Sequence, residues 1–478
     1  MTQHQEPESF DAIIVGAGQA GPSLARDLAQ EGKRVVIVER EHVGGTCVNT
    51  GCTPSKTMIA SARVAHLTRR AGGYGVRADG EAPQGVRVDL RRVQERQREV
   101  VASFRDGGRA RLEDAENVTL LMGEARFTAA RTLAVALPDG ERTLTADLVF
   151  LTTGERPSIP DLPGLRELRP LDYVSLLELE DTPTHLLILG GGYIAVEYGQ
   201  MFRRFGADVT IVERGGQLLA REDEDVAQGL QSILEDEGVT VCLNASVREA
   251  GRDEQGVWLG LDGGQELRGS HVLVAAGRTP NTEALNLGAA GVETDERGHI
   301  KVDDFLRTTA EGVYALGDVK GGPAFTHVAY DDYRVVRDAL LHGRSRSIKD
   351  RLIPYGVFTD PQLGRIGLSE REAREAGKNV KVAKLPMTSV ARAIETGETR
   401  GFMKAVVDAD SGQILGAAIL GTEGAELSTA LQIAMLGQLP YTALRDGMFA
   451  HPTFAESFNN LFGTLKDGSY GRAMRKRR

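Results

Sequence analysis

An α/β chain with two Rossmann-type dinucleotide-binding domains and a C-terminal α+β domain is predicted by three features of the sequence. A strand, glycine turn, helix, strand and terminal acid follow one another near the N-terminus. The same unit returns with its glycines and its acid displaced by 174 residues. From about Asp350 the texture changes to alternating strand-like runs followed by helices.

The first unit opens on Asp11-Ala12-Ile13-Ile14-Val15, a short apolar run of the kind buried in a parallel strand. Gly16, Gly18 and Gly21 form a G-x-G-x-x-G turn, followed by a helical stretch to Gly32 and a strand over 34–38 ending at Glu39. Such glycines let the backbone approach a pyrophosphate at a helix N-terminus, and the acid accepts bonds from a ribose. A lone glycine motif is weak evidence, but here every element of the unit occurs in the required order. In the second unit a strand over 186–189 leads to Gly190, Gly192, Tyr193 and Ala195, and a strand over 209–212 leads to Glu213. Gly16 maps onto Gly190 and Glu39 onto Glu213 by the same offset. Two such sites on one chain indicate two dinucleotides that exchange electrons.

Between the units, 57–70 and the arginine-rich 89–113 read as helices, the second with a solvated face. Residues 118–137 read as short strands with a turn at Pro138-Asp139-Gly140, and 148–153 as a strand that leaves the first domain at Gly154. Pro157, Pro160 and Pro163 mark the linker into the second. A strand over 272–276 ending at Gly277 closes that domain, and Gly312-Val313-Tyr314-Ala315-Leu316-Gly317-Asp318 is a further strand ending in an acid. These punctuation points divide the chain into 1–155 with 277–348, 156–276, and 349–478.

Composition narrows the functional classes. At 478 residues the chain has room for about three domains with cores. Hydrophobic residues are 41% and charged residues 26%, ordinary for a globular protein, and the net charge of −10 argues against nucleic acid as main partner. Three cysteines fit a reducing compartment, and neither a signal peptide nor a membrane-length apolar run is visible, so a cytoplasmic protein is expected. The basic stretch 472–478 reads as a solvated tail.

Two of the cysteines lie in Gly44-Gly45-Thr46-Cys47-Val48-Asn49-Thr50-Gly51-Cys52-Thr53-Pro54-Ser55-Lys56. An ideal helix would hold residues at this spacing roughly 8–9 Å apart, beyond the reach of a disulfide. A bond between them therefore requires a distorted turn, which Asn49 and Gly51 tolerate. So short a loop gives little entropic stabilisation, which favours a redox pair over a staple. Metal ligation is the alternative at this spacing, but no second Cys/His cluster is visible. Cys242, in 239–243, reads as a buried, inert thiol.

The Cys47–Cys52 segment closely resembles that of the two-dinucleotide-domain flavoprotein disulfide reductases, a family that includes dihydrolipoamide dehydrogenase, glutathione reductase and mercuric reductase. The resemblance extends over nearly the whole chain. It implies FAD on the first unit, NAD(P)H on the second and a C-terminal dimerisation domain. It further implies that Cys47 is the outer thiol that meets substrate, while Cys52 lies against the flavin. Gly45, Thr46, Lys56, Gly154 and Asp318 fall where the family contacts FAD. Lys56 and Glu197 resemble its ion pair beside the flavin, and Tyr193 the aromatic gate over the nicotinamide pocket, with core packing as the alternative. Glu213 should bond the 2′-hydroxyl of NADH and repel a 2′-phosphate, so NADH is favoured, although Arg214 and Arg221 lie nearby.

His451-Pro452-Thr453-Phe454-Ala455-Glu456 resembles the family's His-Pro-Thr-x-x-Glu. Thiol–disulfide exchange needs a proton for the leaving thiolate; imidazole titrates near neutrality, and a carboxylate can orient it. In the family this pair acts on the cysteines of the other subunit, so a homodimer is implied. Residues 385–404 and 439–451 resemble mercuric reductase-like and copper-reducing, oxidant-resistance flavoproteins most. The chain lacks the C-terminal cysteine pair of mercuric reductase proper and keeps His451, so the acceptor is expected to be a disulfide or a thiol-bound metal ion. A mercuric or copper ion reductase, a dihydrolipoamide dehydrogenase and a flavin redox sensor without turnover are the alternatives.

Overall fold

A computed structural model describes residues 6–77 and 86–465; the basic tail lies outside them. The N-terminal sheet has seven strands. Val118–Met122, Val35–Glu39, Glu8–Val15, Gly140–Leu151 and Val313–Ala315 run parallel, with an antiparallel ribbon of Thr132–Leu137 and Glu124–Ala129 on one side. Ile13 pairs with both Val36 and Val149, and all three are fully buried, as a strand covered on both faces requires. The strand expected over 148–153 begins eight residues earlier, at Gly140, because its first half turns back along the ribbon while its second half joins the parallel core.

The second unit is a four-stranded parallel sheet ordered Val239–Cys242, Asp208–Val212, His185–Leu189, His271–Val274. Beside it lies an antiparallel sheet of Val247–Asp253, Gly256–Leu261 and Glu266–Gly269, which the sequence reading did not anticipate. The chain passes between the first and second sheets through two paired strands, Glu155–Pro157 and Arg278–Pro280. Residues after 350 form a five-stranded antiparallel sheet ordered Tyr355–Val357, Gln362–Gly367, Ile414–Gly421, Phe402–Asp408, Val380–Pro386, on which the helix Gly424–Leu436 packs. Among the described residues no helix is long and apolar enough to cross a membrane.

The helices begin where local chemistry permits. Asp89 caps Leu90–Glu113 by accepting from Arg92 N, and Pro22 stands in the first turn of Gly21–Gln30, where no amide partner is lost. Helix Cys52–Arg70 packs against both Leu90–Glu113 and Tyr193–Phe205, so the redox segment is held between the first and second units.

A buried cation joins the second unit to the C-terminal sheet. Lys404, 4% exposed, lies 3.0 Å from Asp223, 2.9 Å from Asp225 and 3.0 Å from Glu370. All three carboxyls are held below their ordinary values despite burial, by backbone amides and Lys404 for Asp223, by Lys384 and Lys404 for Asp225, and by Arg374 and Lys404 for Glu370. Folded-state values below the unfolded ones mean a contribution that is complete above the unfolded range and lost as pH falls through the folded values. Lys404→Met should therefore destabilise the protein by about 3 kcal/mol at pH 7, since it leaves Asp223 without its side-chain cation next to two further carboxylates. The gap from the parent should narrow towards pH 4, as the variant's carboxyls take up protons, when denaturant midpoints are compared across that range.

Candidate functional site

Cys47 stands in the short helix Gly45–Asn49, and Cys52 is the first residue of Cys52–Arg70. The helix breaks between them at Thr50-Gly51, which is the distorted turn the spacing required. A Cβ at Gly51 would lie 2.8 Å from the Thr46 carbonyl, so the break depends on glycine. The two cysteines are unlinked thiols, Cys47 half-buried and Cys52 open to the adjoining cavity. Their protonation is divided unequally. Cys52 is pushed down to about 5, first by the hydrogen bond that the Cys47 thiol donates, then, against the effect of burial, by the Thr326 hydroxyl and the Lys56 ammonium. Cys47 is pushed well up, by the hydrogen bond its thiol donates to Cys52, by burial and by the neighbouring thiolate charge.

One turn further along the same helix, Lys56 Nζ donates to Glu197 Oε2 at 2.6 Å. Glu197 is 5% exposed, and its other oxygen accepts from Phe358 N at 2.8 Å. The ammonium also sits 4.9 Å from the centre of the Phe358 ring. Lys56 keeps 31% exposure, so the pair is no surface salt bridge but a buried carboxylate with a cation at the cavity wall.

The cavity, about 970 Å³, runs from Glu39, Glu41 and Gly123 past Gly16, Gly18 and Gly44–Thr46 to Cys47, Cys52, Lys56, Glu197 and Tyr193. Its narrowest contacts explain the glycines. Gly16 has φ +107°, and a Cβ there would meet the Thr152 carbonyl at 2.5 Å; a Cβ at Gly45 would meet Gly18 Cα at 2.8 Å. The second unit repeats the device. Gly190 has φ +113°, and its Cβ would meet the Ala275 carbonyl at 2.6 Å. The acids match as well. Glu39 accepts from Ala17 N at 2.7 Å and Glu41 N at 2.8 Å, while Glu213 accepts from Gly191 N and Gly215 N, both at 2.6 Å. Each carboxylate thus pins its own glycine turn and retains acceptor capacity for a sugar hydroxyl. A long cavity with a glycine cradle at a helix N-terminus, an acid at the strand end and two sulfurs at the far end fits a flavin dinucleotide.

Thr46, Gly154 and Asp318 also line this cavity. Burial pushes Asp318 up to about 6 against the nearby Arg278. Gly190, Gly192, Ala195, Glu213 and Gly277 do not line it; they belong to the second unit, whose helix Tyr193–Phe205 presents Tyr193 and Glu197 to it. Two residues escaped the sequence reading. Arg278 donates to the Tyr193 hydroxyl at 2.6 Å, lies over the rings of Tyr193 and Tyr173, and stands 3.7 Å from Asp318. Thr326 lies 3.6 Å from Cys52 Sγ across 274 residues of sequence, a separation that no local motif signals. Cys242, expected to be buried, is half-buried at the edge of its sheet, and burial raises its thiol.

His451 Nδ1 lies 3.0 Å from both oxygens of Glu456. Thr453 Oγ1 accepts from Glu456 N at 3.2 Å, which fixes the turn. The His451 side chain is 70% exposed and does not line the cavity of its own chain. Among the described residues no group of three His, Cys, Asp or Glu side chains is placed to hold a metal ion.

Comparison with known proteins agrees with this geometry. Residues 10–332 match the family described as pyridine nucleotide-disulphide oxidoreductase, and 353–462 match its dimerisation domain. The chain is 38% identical to the probable pyridine nucleotide-disulfide oxidoreductase RclA of Escherichia coli K12, over 96% of this chain and 99% of that protein. It is 34% identical to a mercuric reductase of Lysinibacillus sphaericus, over 94% and 81%, and 33% identical to a dihydrolipoyl dehydrogenase of Geobacillus stearothermophilus, over 93% and 94%. A solved Cu(II) complex of RclA, there called an HOCl-induced flavoprotein disulfide reductase, superimposes with a TM-score of 0.88 over 96% of this chain and all of that one. With both family domains in place and these similarities running almost end to end, the chain belongs to the pyridine nucleotide-disulphide oxidoreductases, flavoenzymes that use FAD and NAD(P)H.

Proposed function

We propose that this protein passes electrons from NADH to a small disulfide, with Cys47 as the sulfur that meets the acceptor. The observation that carries this reading is the placement of Cys47 and Cys52, beside the Lys56–Glu197 pair, at the end of the one cavity that the glycine turn and Glu39 open. FAD, bound along that cavity, supplies the two-electron relay between nicotinamide and the sulfur pair. Residues 1–155 with 277–348 would hold it, through the backbone at Gly16 and Gly18, which the buried Gly21 lets close against its helix, the Glu39 carboxylate, Gly45, Thr46, Gly154 and Asp318. Residues 156–276 would hold the nicotinamide dinucleotide through Gly190, Gly192, Ala195, Glu213 and Gly277, with Tyr193 as gate. Lys56, steadied by Glu197, would set a positive charge at the cavity wall beside FAD. A reducing, cytoplasmic setting suits exposed thiols.

Two electrons and one proton convert the Cys47–Cys52 disulfide to the Cys47 thiol and the Cys52 thiolate. His451 of the partner subunit takes the Cys47 proton, with Glu456 of the partner subunit orienting the ring. Cys47 Sγ then attacks one sulfur of the acceptor. A mixed disulfide forms, and the departing thiolate takes the proton back from the imidazolium. Cys52 Sγ attacks Cys47 Sγ, the intramolecular disulfide reforms, and the second thiolate leaves to be protonated by water. Residues 349–478 would pair the two copies, as the exposed Ile433, Leu436 and Met448 favour.

A Cu(II) or Hg(II) ion held by thiols is the second reading, favoured by the similarity to the Cu(II)-bound and mercuric relatives. Purified protein should be yellow and should oxidise NADH with oxidised glutathione, lipoamide or an aromatic disulfide. His451→Ala should slow disulfide turnover by about 10²–10⁴-fold, and metal-ion turnover far less, since no leaving thiol then needs a proton. Equal losses for both acceptors would remove His451 from the proton path.

Nicotinamide choice gives an independent measurement. Glu213→Ala should move the NADPH-to-NADH ratio of kcat/KM towards NADPH by about tenfold. An unchanged ratio would mean that the carboxylate only pins its turn.

A further inference from the structure

Two helices begin beside one sulfur. Cys52 is itself the first residue of the 19-residue helix Cys52–Arg70, and Thr326 is the first residue of the 17-residue helix Thr326–His342. Neither helix has a side-chain cap on its first turn, so no capping side chain offsets the positive end of either dipole near Cys52. The Thr326 hydroxyl closes the gap, with Oγ1 at 3.6 Å from Sγ.

The other groups around this sulfur are charged or titratable. Lys56 lies one turn along the same helix, but its ammonium is already bonded to Glu197 at 2.6 Å. The Glu197 charge opposes a thiolate, as do charges on Tyr193 and Tyr198 when ionised, but burial keeps both phenols protonated. His327 directs Nε2 at the Pro354 carbonyl, 2.7 Å away, and burial lowers its basicity, so it brings no fixed positive charge at neutral pH. Cys47 keeps its proton and donates a hydrogen bond to Cys52. Beside the Cys47 thiol and the Lys56 charge, Thr326 stands as a neutral donor near Cys52 whose effect does not vary with pH. It acts on Cys47 in the same sense, but there the Cys52 charge and burial outweigh it.

We propose that Thr326 is a positioning residue for the redox pair: its hydroxyl donates to Cys52 Sγ and helps make Cys52 the sulfur that carries the charge after reduction. This rests on the reading of Cys47 and Cys52 as the redox pair. The hydroxyl need not touch substrate, and it takes no proton in the exchange. It holds the second nucleophile ionised and aimed while Cys47 is engaged with the acceptor, so that the mixed disulfide is resolved by Cys52 rather than by a stray thiol.

The test compares Thr326→Ser, which keeps the donor, with Thr326→Val, which keeps the shape. In the two-electron-reduced holoenzyme, the long-wavelength absorption of the thiolate beside bound flavin is followed from pH 8 to pH 4. The same titration is read in the Cys47→Ser holoenzyme as the rate of Cys52 alkylation by iodoacetamide, located by mass spectrometry. A donor lost to a charged acceptor should raise the Cys52 midpoint by about one pH unit in the valine variant. The serine variant should titrate like the parent. An unmoved midpoint in Thr326→Val overturns the proposal, and so do equal shifts in both variants, which would mark a packing effect. Should the valine variant not fold, Thr326→Ala gives the same comparison. If the parent shows no long-wavelength band, the redox-pair reading fails, while the alkylation profile still decides whether Thr326 tunes Cys52.

Discussion

Glu197 is the carboxylate on which three parts of the chain converge. It belongs to the second unit, takes a hydrogen bond from Lys56 of the first and another from the Phe358 amide beyond residue 350, and is almost fully buried. A carboxylate so placed is tolerated only while both donors remain, because removing one partner of a buried pair destabilises by about 3–5 kcal/mol. The separate sheets are therefore not free to slide past one another at this point. Cys52 lies one turn from Lys56 on the same helix, so the position of the sulfur relative to the second unit is set by this link and not by the flexible-looking glycine segment around it.

The repeated unit is conserved within the chain down to side-chain detail. In each copy a glycine in the left-handed region slips under a carbonyl of a returning strand, and in each copy the strand-end acid grips two backbone amides. The acid therefore serves structure before it serves any sugar: it rigidifies the turn that must lie flat against a pyrophosphate. What differs between the copies is the environment. The first opens onto a cavity that ends at the cysteines, while the second shows that cavity only the start of its helix, with Tyr193 at its tip and Glu197 one turn in.

Most of this was legible in the sequence because it is carried by short, ordered motifs. Strand, glycine turn and acid are contiguous, and so are the two cysteines and the His451–Glu456 turn. The antiparallel sheet of residues 247–269 was not legible, since its strands are short and mix charged residues and glycines with Val257 and Leu259, so their alternation is faint. The twelve-residue strand from Gly140 was shortened in the sequence reading because its polar first half pairs in a ribbon and carries no apolar run. Thr326 and Arg278 were missed for a different reason. Each acts on a residue far away in sequence, and only the closure of the first sheet by Val313–Ala315 and the crossing strands brings them to Cys52 and Tyr193.

Those crossing strands have a further implication. The chain leaves the first sheet through Glu155–Pro157 and comes back through Arg278–Pro280, with Arg156 directly opposite Thr279. Directly opposed residues of an antiparallel pair lie about 5 Å apart, so everything between them enters and exits through a single doorway. Such a stretch is a cassette. Its surface loops can vary without displacing Val313–Ala315 from Gly140–Leu151, while Glu197 and Asp223 stay tied to Lys56 and Lys404 outside it. The inserted half can therefore diverge at its solvent face while the first sheet keeps its strand order.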